Sequence, residues 1–177
     1  EWVKDTSRII INAINKAFEI YDGKKELKYN AMFITYRKGY VPDCTYYTAG
    51  RDLLNESEVA LKKMREDLGD NDETFLNLSD QVVQMVIALV VKSVNKSNCP
   101  QETRYRCKYL LDEVGSFLVK EETGKRFTEN YNIISQNITN AESQSAITSS
   151  SNNSGGCYIA TMVYGDYEHP QVLVLRD

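Results

Sequence analysis

The residues best suited by type to do chemistry lie near the end of the sequence. Cys157 is followed twelve positions later by His169, the only histidine of the chain. A neighbouring histidine can activate a thiol as a nucleophile, so this pair is the candidate catalytic centre. A thiol enzyme also needs a rigid pocket, an oxyanion donor and an Asn or Asp that orients the histidine. A short tail does not supply these, so we expect no catalytic residue and place His169 in a loop before Pro170.

Two glycines before Cys157 offer a different chemistry. Gly155 and Gly156 allow an extended chain to enter a narrow protease cleft, although they also serve as ordinary flexible linker residues. A cysteine at the start of a helix has its thiolate favoured by the helix dipole. Processing or modification at Gly156 and Cys157 is therefore the alternative to a plain packing role.

The patterns of the other polar residues indicate structural roles. Glu121 and Glu122, and the acidic residues 70–73, resemble carboxylate pairs, but charge runs of this kind usually cap helix ends in solvent. The four cysteines have no CxxC spacing and no histidine nearby, which predicts neither a metal site nor a cofactor. We expect them to be free thiols in a reducing compartment.

Composition narrows the class of protein. The 177 residues are 42% hydrophobic and 26% charged, which is typical of a soluble globular domain with an appendage. The net charge of -4, without a basic stripe, argues against nucleic acid as a partner. The longest apolar run, residues 82–91, is about half as long as a bilayer-crossing helix. These features predict a cytoplasmic protein without a transmembrane segment.

Apolar residues recur at helical spacing through most of the chain, which predicts an all-α bundle of about five or six helices over residues 1–134. The first helix ends near Asp22, and a second covers residues 27–40. A third begins near Tyr46, and a fourth follows a cap at Asp72 or Thr74. The fourth is apolar on almost every side, so it is the predicted centre of the bundle, with a core of Val82, Val83, Val86, Ile87, Leu89 and Val90.

The later segments are predicted as follows. Pro100 begins a fifth helix whose apolar stripe reaches Leu118, and a short sixth helix contains Phe127, Tyr131, Ile133 and Ile134. Residues 135–156 are rich in Ser and Asn, with no aromatic residue, which predicts a flexible linker. Residues 157–177 form a separate apolar tail of two short elements. The second element begins at Pro170 as a helix, and a strand over 171–175 is the alternative.

Five of the tyrosines have two possible roles. Tyr29, Tyr36, Tyr40, Tyr46 and Tyr47 are amphipathic, so we expect them to pack between helices with their hydroxyl groups at the surface. The alternative is an exposed aromatic groove that binds a partner.

The tail resembles a known motif. The stretch GGCYIATMVYGDYEHPQVLVLRD is similar to the CFI-box, which ends otherwise unrelated bacterial proteins behind Ser- or Gly-rich linkers. The matching positions are Cys157, Ile159, Ala160, Thr161, Tyr164, Gly165, Val172, Leu175 and Arg176. The stretch NDETFLNLSDQVV also resembles helical regions that accompany this tail in J-domain proteins. The resemblance implies a bacterial source and a modular tail, and the motif normally continues past the position of Asp177, so we expect a longer parent chain.

These features predict a non-catalytic helical interaction or scaffolding module. Its tail is too short to hold a core alone, so we expect it to dock on the helical domain or on another protein. Membrane contact is expected only if Cys157 is acylated. The predicted binding residues are Cys157, Tyr158, Ile159, Met162, Val163, Tyr164, Val172 and Leu175.

Overall fold

The computed structural model describes residues 1–24, 45–96 and 99–150, the side chains of 142 and 144–150 excepted. Every regular element in these ranges is helical, which confirms the all-α fold class. The predicted helix over residues 27–40 and the predicted tail lie outside the described residues. The described α-helices are α1 (Trp2–Tyr21), α2 (Thr45–Leu68), α3 (Glu73–Val94), α4 (Gln101–Val114) and α5 (Glu121–Ser150).

Helix α1 packs against the bundle through residues spaced three or four apart. Ile10, Ala13, Ala17 and Ile20 are buried, because this spacing places them on one face. The helix ends at Tyr21 with Asp22 as its C-cap, and Gly23 follows with a φ of 76°, a backbone conformation that glycine adopts without strain. The prediction that this helix ends near Asp22 is confirmed.

Helices α2 and α3 are joined by a short turn with the expected chemistry. Gly69 has a φ of 89° just after α2 ends. The Asp72 side chain then accepts hydrogen bonds from the amides of Thr74 and Phe75, at 2.9 and 3.0 Å. Asp72 is therefore the N-cap of α3, one of the two residues predicted for that role.

Helix α3 is the central helix of the bundle. It packs against α1, α2 and α4, and the six core residues predicted on it are all buried. Among the described helices it is also the one long and apolar enough to cross a bilayer, and 56% of its most apolar window is buried inside the protein. A central core helix has the same length and composition.

The end of α4 differs from the prediction. The helix stops at Val114, and Gly115–Phe117 forms a single 3₁₀ turn instead of continuing the stripe to Leu118. Ser79 of α3 donates a hydrogen bond of 2.8 Å to the carbonyl oxygen of Phe117, which holds this turn against the core. The tighter turn keeps Phe117 buried after the α-helix has ended.

Helix α5 corrects two predictions. It is not short, and residues 135–150 of the predicted linker are helical. Ile134 and Ile138 are buried, whereas Ile133 is 55% exposed. Phe127, Tyr131, Ile134 and Ile138 keep the three- and four-residue spacing of one helix face, a signal that the Ser- and Asn-rich average composition hides.

The compact units are Glu1–Ile138 and Thr139–Asp177, so the first unit ends four residues later than predicted.

Candidate functional site

An open groove lies where α1 ends, α2 begins and α3 makes its last turns, beside the first turns of α5. Its volume is about 650 Å³, within the range of typical ligand sites. We call it the tyrosine–lysine groove. Its lining consists of Tyr21, Tyr46, Ile87, Ala88, Val91, Lys92, Asn95, Lys96, Arg126 and Asn130.

Lys92 organises one wall of the groove. Its Nζ atom lies 4.3 Å from the ring centroid of Tyr21 and 4.9 Å from that of Tyr46. The same ammonium donates a hydrogen bond to the carbonyl oxygen of Tyr21. Tyr21 is the last residue of α1, where carbonyl groups lack partners within the helix and the dipole favours a cation. Lys92 therefore fixes both rings while it caps α1.

Two further cations face the same space. The Nζ atom of Lys96, in the turn that follows α3, lies 4.6 Å from the ring centroid of Tyr46. Arg126 is exposed on α5, and its carbonyl oxygen accepts a hydrogen bond of 2.7 Å from the amide of Asn130. Lys92 thus comes from α3, Lys96 from the turn after α3, and Arg126 from α5, and all three line the groove.

No acidic side chain is among the ten residues that line the groove. Among the described residues, Asp22 is an acidic residue whose carboxyl interacts with the charge of Lys92, and it is paired with Lys24 at 2.7 Å. The hydrogen bond from Lys24 lowers the pKa of the Asp22 carboxyl, and the charge of Lys92 contributes a smaller part. The described lining of the groove therefore carries three cationic side chains and no acidic one, in a chain whose net charge is -4.

The floor of the groove is apolar. Ile87, Ala88 and Val91 come from one side of α3, and Ile87 is 2% exposed while the other two are half-buried. The groove thus combines an apolar floor, an aromatic wall and a cationic rim. The arrangement suits a ligand that carries both an apolar group and negative charge.

A second polar cluster joins α3 to the start of α5. The Asp80 carboxylate is 5% exposed, and it accepts a hydrogen bond of 2.5 Å from the Thr123 hydroxyl and one of 2.9 Å from the Gln84 amide. Lys120 adds an ion pair of 3.1 Å. Both carboxylate oxygens are thus engaged by protein groups, as a buried charge requires. We interpret this cluster as a structural clamp.

A third cluster joins α4 to α5. The Lys108 ammonium donates to the Tyr131 hydroxyl at 2.6 Å, and that hydroxyl donates to Asp112 at 2.7 Å. The hydrogen bond with Tyr131 raises the pKa of Lys108, and the Asp112 carboxylate raises it further. Lys108 therefore stays a charged ammonium at neutral pH, which suits an interhelical tie and not a nucleophile.

The residues singled out from sequence divide into two groups. All eight predicted binding residues, with His169, Gly155 and Gly156, lie outside the described residues, so their roles stay predictions. The acidic clusters do lie at helix ends: Asp72 caps α3, and Glu121 pairs with Lys125 at 2.8 Å in the first turn of α5. Cys99 is half-buried and Cys107 is buried, and both are free thiols.

Sequence reasoning missed most of the groove. Tyr46 and Tyr47 are half-buried and pack against the core, as the leading interpretation of the tyrosines predicts, and Tyr46 also lines the groove. Tyr29, Tyr36 and Tyr40 lie outside the described residues. The available signal was the pair Lys92 and Lys96, four residues apart at the end of the helix predicted to be central and apolar. Arg126 joins them through the packing of α5, which local spacing does not reveal.

Comparison of the chain with protein-family models, with curated proteins and with solved structures gave no match in any of the three.

Proposed function

We propose that this chain is a non-catalytic helical interaction module whose binding surface is the tyrosine–lysine groove. The observation that carries the proposal is the combination of an apolar floor, two tyrosine rings and three cations around one open groove of about 650 Å³. The tail formed by residues 157–177 is, in this proposal, a second docking element that binds in cis or on a partner. Its resemblance to the CFI-box supports a bacterial cytoplasmic setting.

The groove has the physical properties that favour protein binding. Tyrosine and arginine are enriched at the energetic centres of interfaces, since they bury large areas with few rotatable bonds or form several hydrogen bonds. Lys92 already contacts the Tyr21 and Tyr46 rings, so both rings are ordered before a partner binds. A pre-organised surface loses less conformational entropy when a partner docks.

The polar clusters elsewhere support the same proposal. Asp80 with Thr123, and Lys108 with Tyr131, connect one helix to another at hydrogen-bond distance. Arg51 of α2 and Glu113 of α4 also form an ion pair. Each cluster is explained by helix packing, which leaves the groove as the described surface with the best match to a ligand.

The proposal is tested by photo-crosslinking from two positions. A photoreactive amino acid replaces Asn95, which is exposed at the rim of the groove, or Val59, which is 76% exposed on α2 and does not line the groove. We expect crosslinking in the source cells to join a defined protein to the Asn95 position only. The purified protein should then bind the full chain and lose affinity when Lys96 is changed to Glu. Equal crosslinking from both positions, or none from Asn95, would contradict the proposal.

A further inference from the structure

We infer that residues 121–138 of α5 form a releasable strap, which separates from the bundle as one unit while α1 to α4 stay folded. The cluster of Asp80, Gln84, Lys120 and Thr123 is the latch that holds the start of this strap. Release is a property of the fold and does not depend on what the groove binds.

Little apolar surface holds the described part of α5 on the bundle. Of its side chains that the structure describes, Ile134 and Ile138 are the buried apolar ones, and Phe127 and Tyr131 are half-buried. Helix α3, in contrast, buries apolar side chains in every turn over residues 75–90. Because buried apolar area is the main contribution that opposes the separation of two elements, α5 requires less free energy to open than α3.

The latch consists of polar groups that water can also satisfy. Asp80 of α3 is 5% exposed, and its carboxylate accepts a hydrogen bond of 2.5 Å from the Thr123 hydroxyl of α5. Lys120 pairs with the same carboxylate at 3.1 Å, and its ammonium also donates to Asn77. When α5 separates, Asp80, Thr123 and Lys120 exchange these bonds for bonds to water, so the released state leaves none of the three unsatisfied.

The contact in the middle of the strap is open to solvent. The Tyr131 hydroxyl lies between Lys108 and Asp112 of α4, whose side chains are 31% and 45% exposed. Exposed ion pairs contribute little to stability, so this contact orients the strap and adds little to its docking free energy.

A short segment before α5 serves as the hinge. Phe117 is 3% exposed, and its carbonyl oxygen accepts a hydrogen bond from Ser79, which fixes the 3₁₀ turn on the bundle. Residues 118–120 then have no regular secondary structure before α5 begins at Glu121. Segments of this kind absorb the backbone rotation that moves one element relative to another.

Release of the strap opens the tyrosine–lysine groove. Arg126 and Asn130 line the groove from the strap, whereas Tyr21, Tyr46 and Lys92 line it from the part that stays folded. Any ligand that contacts both sides of the groove therefore stabilises the docked strap.

Hydrogen exchange of the native full chain over a series of low urea concentrations, followed by mass spectrometry, tests the strap. We expect the amides of 121–138 to share one opening free energy and to be at least about tenfold less protected than those of α3. Their opening should also depend less steeply on urea, because releasing one helix exposes less surface than unfolding the bundle.

Two threonines of α5 supply a matched pair of variants. Thr123→Val removes the hydroxyl that donates to Asp80 and keeps the size of the side chain. It should speed the exchange of 121–138 by about tenfold or more, since the lost bond is to a charged group. Thr128→Val is the control, because the Thr128 hydroxyl is exposed and bonds to the Gly124 carbonyl oxygen within α5. It should change this exchange by less than about threefold, since threonine and valine have similar helix propensities.

Ala60→Gly separates release from unfolding of the whole bundle. Ala60 is 8% exposed on α2, and glycine at this position weakens a helix that stays folded during release. The variant should speed the exchange of α3 by about fivefold and leave that of 121–138 unchanged. Thr123→Val should speed both, because the latch is absent from the released state and from the unfolded chain alike.

Three results would overturn the strap. These are equal protection and equal urea dependence of 121–138 and α3, an Ala60→Gly variant that speeds 121–138 as much as α3, and no difference between Thr123→Val and Thr128→Val in the exchange of 121–138. The first two would mean that α5 opens only when the whole bundle unfolds. The third would mean that the Thr123 hydroxyl does not hold the strap.

Discussion

Burial changes sharply between neighbouring residues of α2. Leu61 is fully buried, whereas Val59, two positions earlier, is 76% exposed. We expect Leu61→Ala to reduce the free energy of unfolding by about 2 to 5 kcal/mol, through lost burial and the cavity that remains. Val59→Ala should change it by less than about 0.5 kcal/mol, because no packing is lost. Urea denaturation measures both, and similar losses for the two variants would contradict the described burial.

Asp52 gives a prediction about pH. It lines a crevice of about 160 Å³ that also contains Lys16 and Glu56, which pair at 2.7 Å. Burial raises the pKa of Asp52 above its ordinary value of 3.8, the charge of Glu56 raises it further, and Lys16 opposes them. A raised pKa in the folded state means that the contribution to stability is fully present below pH 3.8. It is lost as the pH rises through the raised pKa.

Asp52→Asn removes this ionisation. We expect the variant to melt above the parent protein at pH 7, where the aspartate is charged, and at the parent's temperature near pH 3, where the carboxyl is protonated in both states. Thermal unfolding followed by circular dichroism at both pH values measures this. A difference that does not change with pH would show that helix propensity, and not the charge, is responsible.

At the scale of elements, the bundle was largely predictable and the groove was not. The limits of α1 and α3 follow from apolar spacing, Gly23 and the Asp72 cap, which are local signals. The length of α5 was missed because apolar residues such as Ile138 are few in a stretch dominated by Ser, Asn, Gln and Thr. The groove needs the ends of α1, α3 and α5 to meet, so Lys96 and Arg126 become neighbours only through packing that local sequence does not encode.

Gly50 lies where α2 approaches α3 and α4 closely. A Cβ atom at this position would lie 3.1 Å from Cδ2 of Leu110 and 3.7 Å from Cβ of Leu89. Gly50→Ala requires only a small shift of the Leu110 side-chain end, and the better helix propensity of alanine offsets up to about 1 kcal/mol of that cost. We expect a change within about 1 kcal/mol in either direction. Gly50→Val should cost about 1 to 3 kcal/mol more through overpacking.

Gly124 is the matched control for this close approach. It lies in α5, and no atom is within 4 Å of the Cβ that a substitution would add. Gly124→Ala should therefore stabilise the protein by up to about 1 kcal/mol. Denaturant titration compares the three variants. If Gly50→Val were as well tolerated as Gly124→Ala, α2 could not approach α4 as closely as described.

Helix α5 should differ in stability along its length. Ile138 is the last residue of α5 that is buried among those whose side chains the structure describes, and Gln101 donates a hydrogen bond of 3.3 Å to its carbonyl oxygen. Beyond it, Asn140 and Ser143 are exposed, and an isolated helix of about twelve residues is marginal in water. We expect amides through residue 138 to exchange with solvent far more slowly than those of 140–150. Uniform protection over the whole helix, by hydrogen-exchange mass spectrometry, would contradict this.

At the scale of the whole molecule, the proposed function depends on two separate binding elements, the groove and the tail. The groove is built from residues far apart in sequence, such as Tyr21, Lys92 and Arg126, so any change that loosens the bundle also disperses the binding groups. The tail carries most of its predicted contacts within 157–177. Substitutions in the core should therefore weaken groove binding together with stability, whereas substitutions in the tail should affect only its own docking.

The alkylation rates of Cys99 and Cys107 are reference values against which the rate of Cys157 can be compared. Cys107 is fully buried, so it should react with an alkylating reagent only when the protein unfolds, while the half-buried Cys99 should react faster. Peptide mapping after timed alkylation of the native full chain gives the rate at each site. If Cys157 anchors a docked tail, its rate should approach that of Cys107, and Cys157→Ser should reduce docking without abolishing the fold. A rate above that of Cys99 would instead indicate an accessible thiolate. A mass shift at Cys157 of the intact protein, or cleavage after Gly156, would contradict the anchor role. Either result would support the alternative of a processed or modified precursor, because neither a reagent nor an enzyme can reach the sulfur of a packed thiol.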